Sequence, residues 1–224
     1  MTTDSTKKAC IFCNGALKNS ARVKRVASNC DLLIATDGGA EHLAGLGLKP
    51  RIIIGNMDSI TVDRWNNDNS IVLIPHSPDK DKSDAELAVE CALEQGFEQV
   101  ILVAAIGGRL DHTLGNVALV ARYPGRIAIL DGTSTLVAVD KSEKCILHGQ
   151  VGTPVSLIPY GSGPFTVRTK GLRYSFGDES LHSATHGLSN ELSQTESCVC
   201  VSNGILLVYI ENQDVSYRFQ NEFE

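Results

Sequence analysis

Apolar β-type runs alternate with helical patterns over the first 131 residues of this chain, and then the alternation stops. The runs fall at 9–13, 32–35, 51–54, 71–74, 100–105 and 126–130. Helical patterns lie between them at 16–27, 40–46, 83–95 and 113–122, with a shorter piece at 62–67. Strands separated by helices pair through crossovers, so the pattern predicts a parallel sheet with helices on both faces. Beyond 131–134 helical periodicity disappears. Short β-type runs follow at 135–139, 144–147, 154–158, 165–168 and 172–176, and SCVCV and ILLVYIE read as the last two strands. Asn203-Gly204 between those two is a strong hairpin signal, so they are expected to pair. The fold class is therefore α/β plus all-β, with an α/β domain over 1–132 and a small β-sandwich over 133–224.

The loops after four of the early strands share a chemistry. They carry Asp37, Gly38 and Gly39; Gly55, Asn56, Asp58 and Ser59; Asp79, Asp81 and Asp84; and Gly107, Gly108, Arg109, Asp111 and His112. In an open parallel sheet, loops at the carboxyl ends of the strands converge on one crevice. Carboxylates gathered there repel one another unless a cation joins them. Glycines let backbone N–H groups approach an anion. Asp37, Asp58, Asp81 and Asp84 form the candidate cation site, in a pattern that suits magnesium with a nucleotide. The plainer reading is that each acid caps a helix or solvates a loop. Arg109, at a strand-to-helix junction, is placed to clamp phosphate, and a salt bridge to Asp111 is compatible with that. Asn116 follows His112 by one helical turn and faces the same way. Ser83 and Glu86 form a capping box that fixes Asp84 in the first turn of a helix, where an anion is stable.

Composition narrows the function. A net charge of -6 argues against nucleic acid or an anionic membrane as the main partner. No apolar run reaches the length of a membrane span. The polar start MTTDSTKK and seven cysteines point to a cytoplasmic protein with thiols rather than disulfides. Cys10 and Cys13 have C-x-x-C spacing but lie in a strand-like run, and no second pair completes a metal set, so they read as small buried hydrophobes. His182 and His186 sit in a loop, not on a helix, which disfavours a metal pair. Neither G-x-x-x-x-G-K-[ST] nor G-x-G-x-x-G occurs, so phosphate must be held by several loops. In the second half, Gly187-Leu188-Ser189-Asn190 offers small polar groups in a tight turn, or is simply a turn.

Taken together, these motifs resemble the thiamine pyrophosphokinase family. The matching stretches are ATDGGA, Gly55 to Ser59, Pro78 to Asp84, Gly107 to Asn116, Gly171-Leu172-Arg173-Tyr174 and the Gly187 to Asn190 turn, in order along nearly the whole chain. The resemblance implies a Rossmann-like first domain and transfer of a pyrophosphoryl group from ATP to the thiamine hydroxyl, giving thiamine diphosphate and AMP. It implies a Mg2+ cofactor and a homodimer with sites at the subunit interface. Asp58, Asp81 and Asp84 match the family's catalytic and magnesium positions, with Asn56 beside them as a metal ligand. Asp37, Gly38, Arg109, Asp111, His112 and Asn116 match the nucleotide segments. Ser189 and Asn190 match the thiamine turn, and Tyr174 or Leu192 would meet the thiamine ring. Three residues depart from the family pattern: Asn56 for Asp, Lys80 for Gln and Ser83 for Thr. Asn56 brings no negative charge, which motivates an alternative: an impaired homologue that binds nucleotide or thiamine without turnover. A metal-dependent phosphohydrolase using the same acids is the other alternative.

Overall fold

The computed structural model describes residues 6–56, 65, 68–77, 81–181, 185–211 and 214–221. Two compact units divide the chain, one of Met1–Leu119 with Ile129–Gly132 and the other of Val120–Ala128 with Thr133–Glu224.

The first unit contains β1 (Lys8–Phe12), α1 (Ser20–Ala27), β2 (Leu32–Thr36), α2 (Gly39–Gly45), β3 (Ile52–Gly55), β4 (Val72–Pro75), α3 (Asp84–Glu94) and β5 (Gln99–Val103). The helix α4 (Leu110–Arg122) begins in it, and β6 (Ile127–Asp131) ends in it. Its strands run parallel in the order β5-β1-β2-β3-β4. The predicted parallel sheet is present. Ile52, Ile53 and Ile54 are all buried, as expected of a strand covered on both faces. The first connection leads from β1 to one side of the sheet, whereas β5 returns to its other side. Their carboxyl ends therefore flank a topological switch point, where α/β sheets bind ligands.

Local chemistry sets the helix ends. The expected Ser83 cap is present at α3, where Ser83 Oγ accepts the Glu86 N–H at 3.2 Å. Ala85, Ala88, Val89 and Ala92 form its buried stripe. The pattern at 16–27 becomes helical only at Ser20, because Asn19 adopts a left-handed conformation and caps α1 through the Arg22 N–H. The helical piece expected at 62–67 lies outside the described residues except for Trp65, which is buried.

The second unit is built from antiparallel strands in two sheets. β7 (Ser134–Val139), β9 (Pro154–Tyr160), β12 (Asn190–Glu191) and β14 (Ile205–Glu211) pair in the order β12-β9-β14-β7. β8 (Glu143–His148), β10 (Thr166–Lys170), β11 (Gly177–Ser180), β13 (Glu196–Asn203) and β15 (Ser216–Asn221) pair in the order β11-β10-β13-β8-β15. One apolar cluster, including Val137, Leu147, Leu157, Val167, Leu192, Val199 and Val208, fills the space between the sheets. This is the expected sandwich.

Three details differ from the sequence reading. β13 and β14 do not form a hairpin: β13 pairs with β10 and β8, and β14 with β7 and β9. A two-residue type I′ turn needs positive φ at both central residues, but only Gly204 adopts it, with φ 86°. The chain crosses from one sheet to the other instead, so Val199 and Val201 face the same core as Leu206 and Val208. The run at 172–176 is not a strand. Gly171 turns at φ 77°, and Leu172 makes a single bridge to Leu192. Finally, ILLVYIE is not the last strand. β15 follows it, with Tyr217 and Phe219 packed against the core.

Candidate functional site

A cavity of about 380 Å³ opens at the carboxyl ends of β1, β2 and β5, within the first unit. Cys13, Asn14 and Gly15 follow β1 in its wall, Thr36 and Asp37 end β2, and Ala104 and Ala105 follow β5. Ser83 and Asp84 open α3, while Arg109, His112 and Asn116 line the side formed by α4 and the loop before it. Of the residues expected from sequence, Asp37, Asp84, Arg109, His112 and Asn116 therefore meet at one cavity. Gly38, Asn56, Asp81 and Asp111 are not among its described lining residues, and Asp58, Asp79 and Lys80 lie outside the described residues.

Tight backbone geometry holds the cavity open. The Gly15 N–H donates to Ala104 O at 2.8 Å, and a side chain at Gly15 would meet that oxygen. His42 Nε2 lies 2.9 Å from Gly15 O. Asp37 and Ala104 both have positive φ, 34° and 51°, although neither is glycine. Such strain costs about 1–3 kcal/mol per residue and persists where the surroundings enforce it. Asp37's carboxylate sits where a Cβ of Gly55 would be, and Asn14's side chain fills the same place beside Gly38. The Asn14-Gly15 loop was not foreseen as part of the site, although its sequence marks a turn at the end of the first strand.

Electrostatics separates the polar groups. Arg109 Nε and Nη2 donate to Asp111 Oδ1 and Oδ2 at 3.1 and 2.6 Å. This bidentate pair holds the Asp111 carboxyl down at about 2 and raises Arg109. Asp111 Oδ1 also accepts the His112 N–H at 2.9 Å, in the first turn of α4. Asn116 is 7% exposed and donates from Nδ2 to Ala105 O at 2.7 Å, which ties α4 to the end of β5. Burial pushes the Cys13 thiol up to about 12, so it is a neutral wall residue. Among the described residues, no three His, Cys, Asp or Glu side chains gather as a metal-binding group. Among the described residues, two carboxylates, Asp37 and Asp84, line this cavity. That donor set fits magnesium, which takes one or two carboxylates and completes its shell with phosphate and water.

The second unit carries the other expected residues. Ser189 has φ 57°, and its N–H donates to Ser156 Oγ at 3.2 Å. Asn190 is 3% exposed. Its Nδ2 donates to Tyr174 O at 2.7 Å, and its Oδ1 accepts the N–H groups of Tyr174 and Glu191 at 3.0 and 2.9 Å. Of the two candidates for a ligand-facing ring contact, Leu192 is 0% exposed in the core, whereas Tyr174 is 58% exposed with the Arg173 guanidinium 5.5 Å from its ring centre.

The profile of the thiamin pyrophosphokinase catalytic domain matches residues 23–130, and that of the thiamin pyrophosphokinase vitamin B1 binding domain matches residues 137–206. The chain is 26% identical to thiamin pyrophosphokinase 1 of Caenorhabditis elegans over 238 aligned residues, covering 97% of this chain and 95% of that protein. It is 27% identical to the thiamine pyrophosphokinase of Bacillus subtilis, covering 79% of this chain and 86% of that protein. The crystal structure of thiamine pyrophosphokinase from Bacillus subtilis superposes with a TM-score of 0.79 at 24% identity, over 92% of this chain and 99% of that one, and so shares its fold. Both matched domains, in the order in which the two units follow each other, place the chain in the thiamine pyrophosphokinase family, as an enzyme of the pyrophosphotransferase class.

Proposed function

We propose that the chain transfers the pyrophosphoryl group of ATP to the hydroxyl of thiamine, with the triphosphate held in the cavity at the β1–β5 switch point. The observation that carries this reading is the meeting of Asp37, Asp84, Arg109 and Asn116 around one cavity of the α/β unit. Phosphoryl-type transfer depends chiefly on positioning and charge stabilisation, and this wall supplies both. Asp37 and Asp84, with Asp58 and Asp81, are the residues that would hold magnesium, which supplies charge neutralisation on the phosphates when bound.

Asp111 engages Nε and Nη2 of Arg109, which leaves Nη1 to donate to a phosphate oxygen. Asn116 keeps the end of β5 in register with α4, so Ala104 and Ala105 stay in the wall. Asp84 opens α3, where the positive end of the helix dipole favours a carboxylate beside the cavity. An acid of the Asp81–Asp84 segment accepts the proton of the thiamine hydroxyl, a role that by general base catalysis is worth roughly 100-fold or more. In the second unit, Tyr174 presents the exposed ring for thiamine, on a segment that Asn190 clamps. The reading extends to a cytoplasmic homodimer; no helix among the described residues is long and apolar enough to cross a membrane.

The test is an assay of the purified chain with ATP, thiamine and magnesium, resolved by chromatography. Thiamine diphosphate with AMP is expected. Inorganic phosphate alone would support a phosphohydrolase, and binding without turnover would support an impaired homologue. The same assay on Asn56→Asp shows whether the missing charge limits the rate. Faster turnover with unchanged thiamine affinity is expected, because a carboxylate opposes the cation where an amide does not. Equal or slower turnover would mean that the site works with asparagine.

A further inference from the structure

The outer face of the five-stranded sheet carries a feature unrelated to the cavity. Cys198 and Cys200 lie two apart on β13, so both side chains leave the same face of the strand. Their Sγ atoms are 3.5 Å apart, within S–H···S hydrogen-bond reach. Both are partly exposed, whereas Cys10, Cys13 and Cys145 are buried. The residues paired across from them share that face. Lys170 and Ile146 lie opposite Cys198, and Arg168 lies opposite Cys200. Arg218 lies opposite Ile146 on the far side. Lys144 shares the face, two residues before Ile146. Asp178 approaches Arg168 at 3.7 Å, and Glu196 pairs with His148 at 3.6 Å. The thiols thus sit among four cations in a chain whose net charge is -6.

We propose that Cys198 and Cys200 form a thiol–disulfide exchange site for anionic low-molecular-weight disulfides. The bond between the two sulfurs pushes the Cys198 thiol up, burial adds to this, and Lys144 opposes it. At 3.5 Å the sulfur that keeps its proton can stabilise the thiolate of the other, and in the proposed step Cys200 is that thiolate. The Cys200 thiolate attacks one sulfur of the disulfide. A Cys200–S–S–R bond forms, the S–S bond of the reagent breaks, and RS⁻ departs and takes up a proton from water. No net electrons are needed beyond those the disulfide accepts. The four cations draw in an anionic reagent and disfavour a cationic one.

The adduct persists because the strand resists closure of the pair. β13 is paired on both sides, with β10 and β8. Residues two apart on an extended strand have Cα atoms roughly 6.6 Å apart. That is the wide end of the range of about 4.4–6.8 Å that a disulfide spans.

The test treats the full chain with glutathione disulfide, which is anionic, and in parallel with cystamine, which is cationic. Peptide mass spectrometry then follows each cysteine in time. With glutathione disulfide, adducts at Cys198 or Cys200 are expected at least ~10-fold faster than at Cys91, the low end of what a focused field of one sign adds to the encounter rate of an oppositely charged reagent. With cystamine the preference should vanish. The double variant Lys144→Gln, Lys170→Gln should lose most of the preference with its melting temperature unchanged, and Cys200→Ser should abolish the fast adduct. First reaction at Cys91 or Cys30, equal preference for both reagents, or an intact preference in the lysine variant would overturn the proposal. A Cys198–Cys200 disulfide without retained adduct would overturn the claim that the paired strand resists closure.

Discussion

The cavity of the first unit and the Gly187–Asn190 turn of the second are both marked by small polar motifs, yet they use asparagine differently. Asn116 makes one described hydrogen bond, to Ala105 O, from the wall of a cavity. Asn190 directs both ends of its amide to the backbone of Tyr174 and Glu191. The first borders a space that a ligand can fill. The second fastens an exposed aromatic residue, Tyr174, to β12. A polar motif can therefore contribute by facing the ligand or by building the frame behind the residue that does, and only the hydrogen-bond inventory distinguishes the two.

The contrast breaks most readily at Leu192 and Tyr174. Leu192→Ala should destabilise the chain by about 2–5 kcal/mol, the range for emptying a packed core position. Tyr174→Ala should leave the denaturant midpoint nearly unchanged while raising KM for thiamine. Equal loss of stability in both would erase the distinction between frame and contact. Asn190→Ala should cost about 2 kcal/mol, because backbone groups of Tyr174 and Glu191 lose partners and water reaches only some of them. If thiamine KM moved without any loss of stability, Asn190 would be a contact rather than a clamp.

Arg109→Ala sharpens the comparison from the other side. It should lower kcat/KM roughly 10–100-fold, the range for a hydrogen bond to a charged group, with no change in melting temperature. Lysine should restore little, since it lacks the planar fork. The smallest effect concerns pH. Asp111 is depressed to about 2 by Arg109, so the pair's contribution is complete above the ordinary carboxylate pKa and is lost only as pH falls through about 2. Carboxyl NMR of Arg109→Ala should show Asp111 returning toward the ordinary range. An unmoved titration would contradict the ion pair.

Much of the first unit is legible in sequence because its signals are local. Ser83 and Glu86 announce α3, and the triple isoleucine of β3 announces a buried strand. Asp37, Asp84 and Arg109 meet at one cavity because parallel topology gathers the carboxyl ends of the strands on one side. What escaped depends on partners distant in sequence. Asn14-Gly15 looks like any turn until Ala104 O is seen 2.8 Å from the Gly15 N–H. Asn203-Gly204 carries the hairpin dipeptide, but the buried faces of β13 and β14 must oppose each other across one core, and tertiary packing overrides the turn. Tyr217 and Phe219 alternate with Ser216, Arg218 and Gln220, a strand signal weakened by only partial burial.

The carboxylate of Asp37 occupies the space that a side chain at Gly55 would need. The acid closing β2 and the glycine closing β3 therefore behave as a single heritable character. Alanine at 55 evicts the carboxylate from its place, and a smaller residue at 37 frees that space, leaving the φ of 157° as the remaining reason for glycine at 55. Changes at these two positions should be strongly non-additive in a double-mutant cycle, because each alters what the other can tolerate. Of the two single changes, a side chain at 55 with the acid still at 37 is the one this corner tolerates least, since the added atom meets the Asp37 carboxylate.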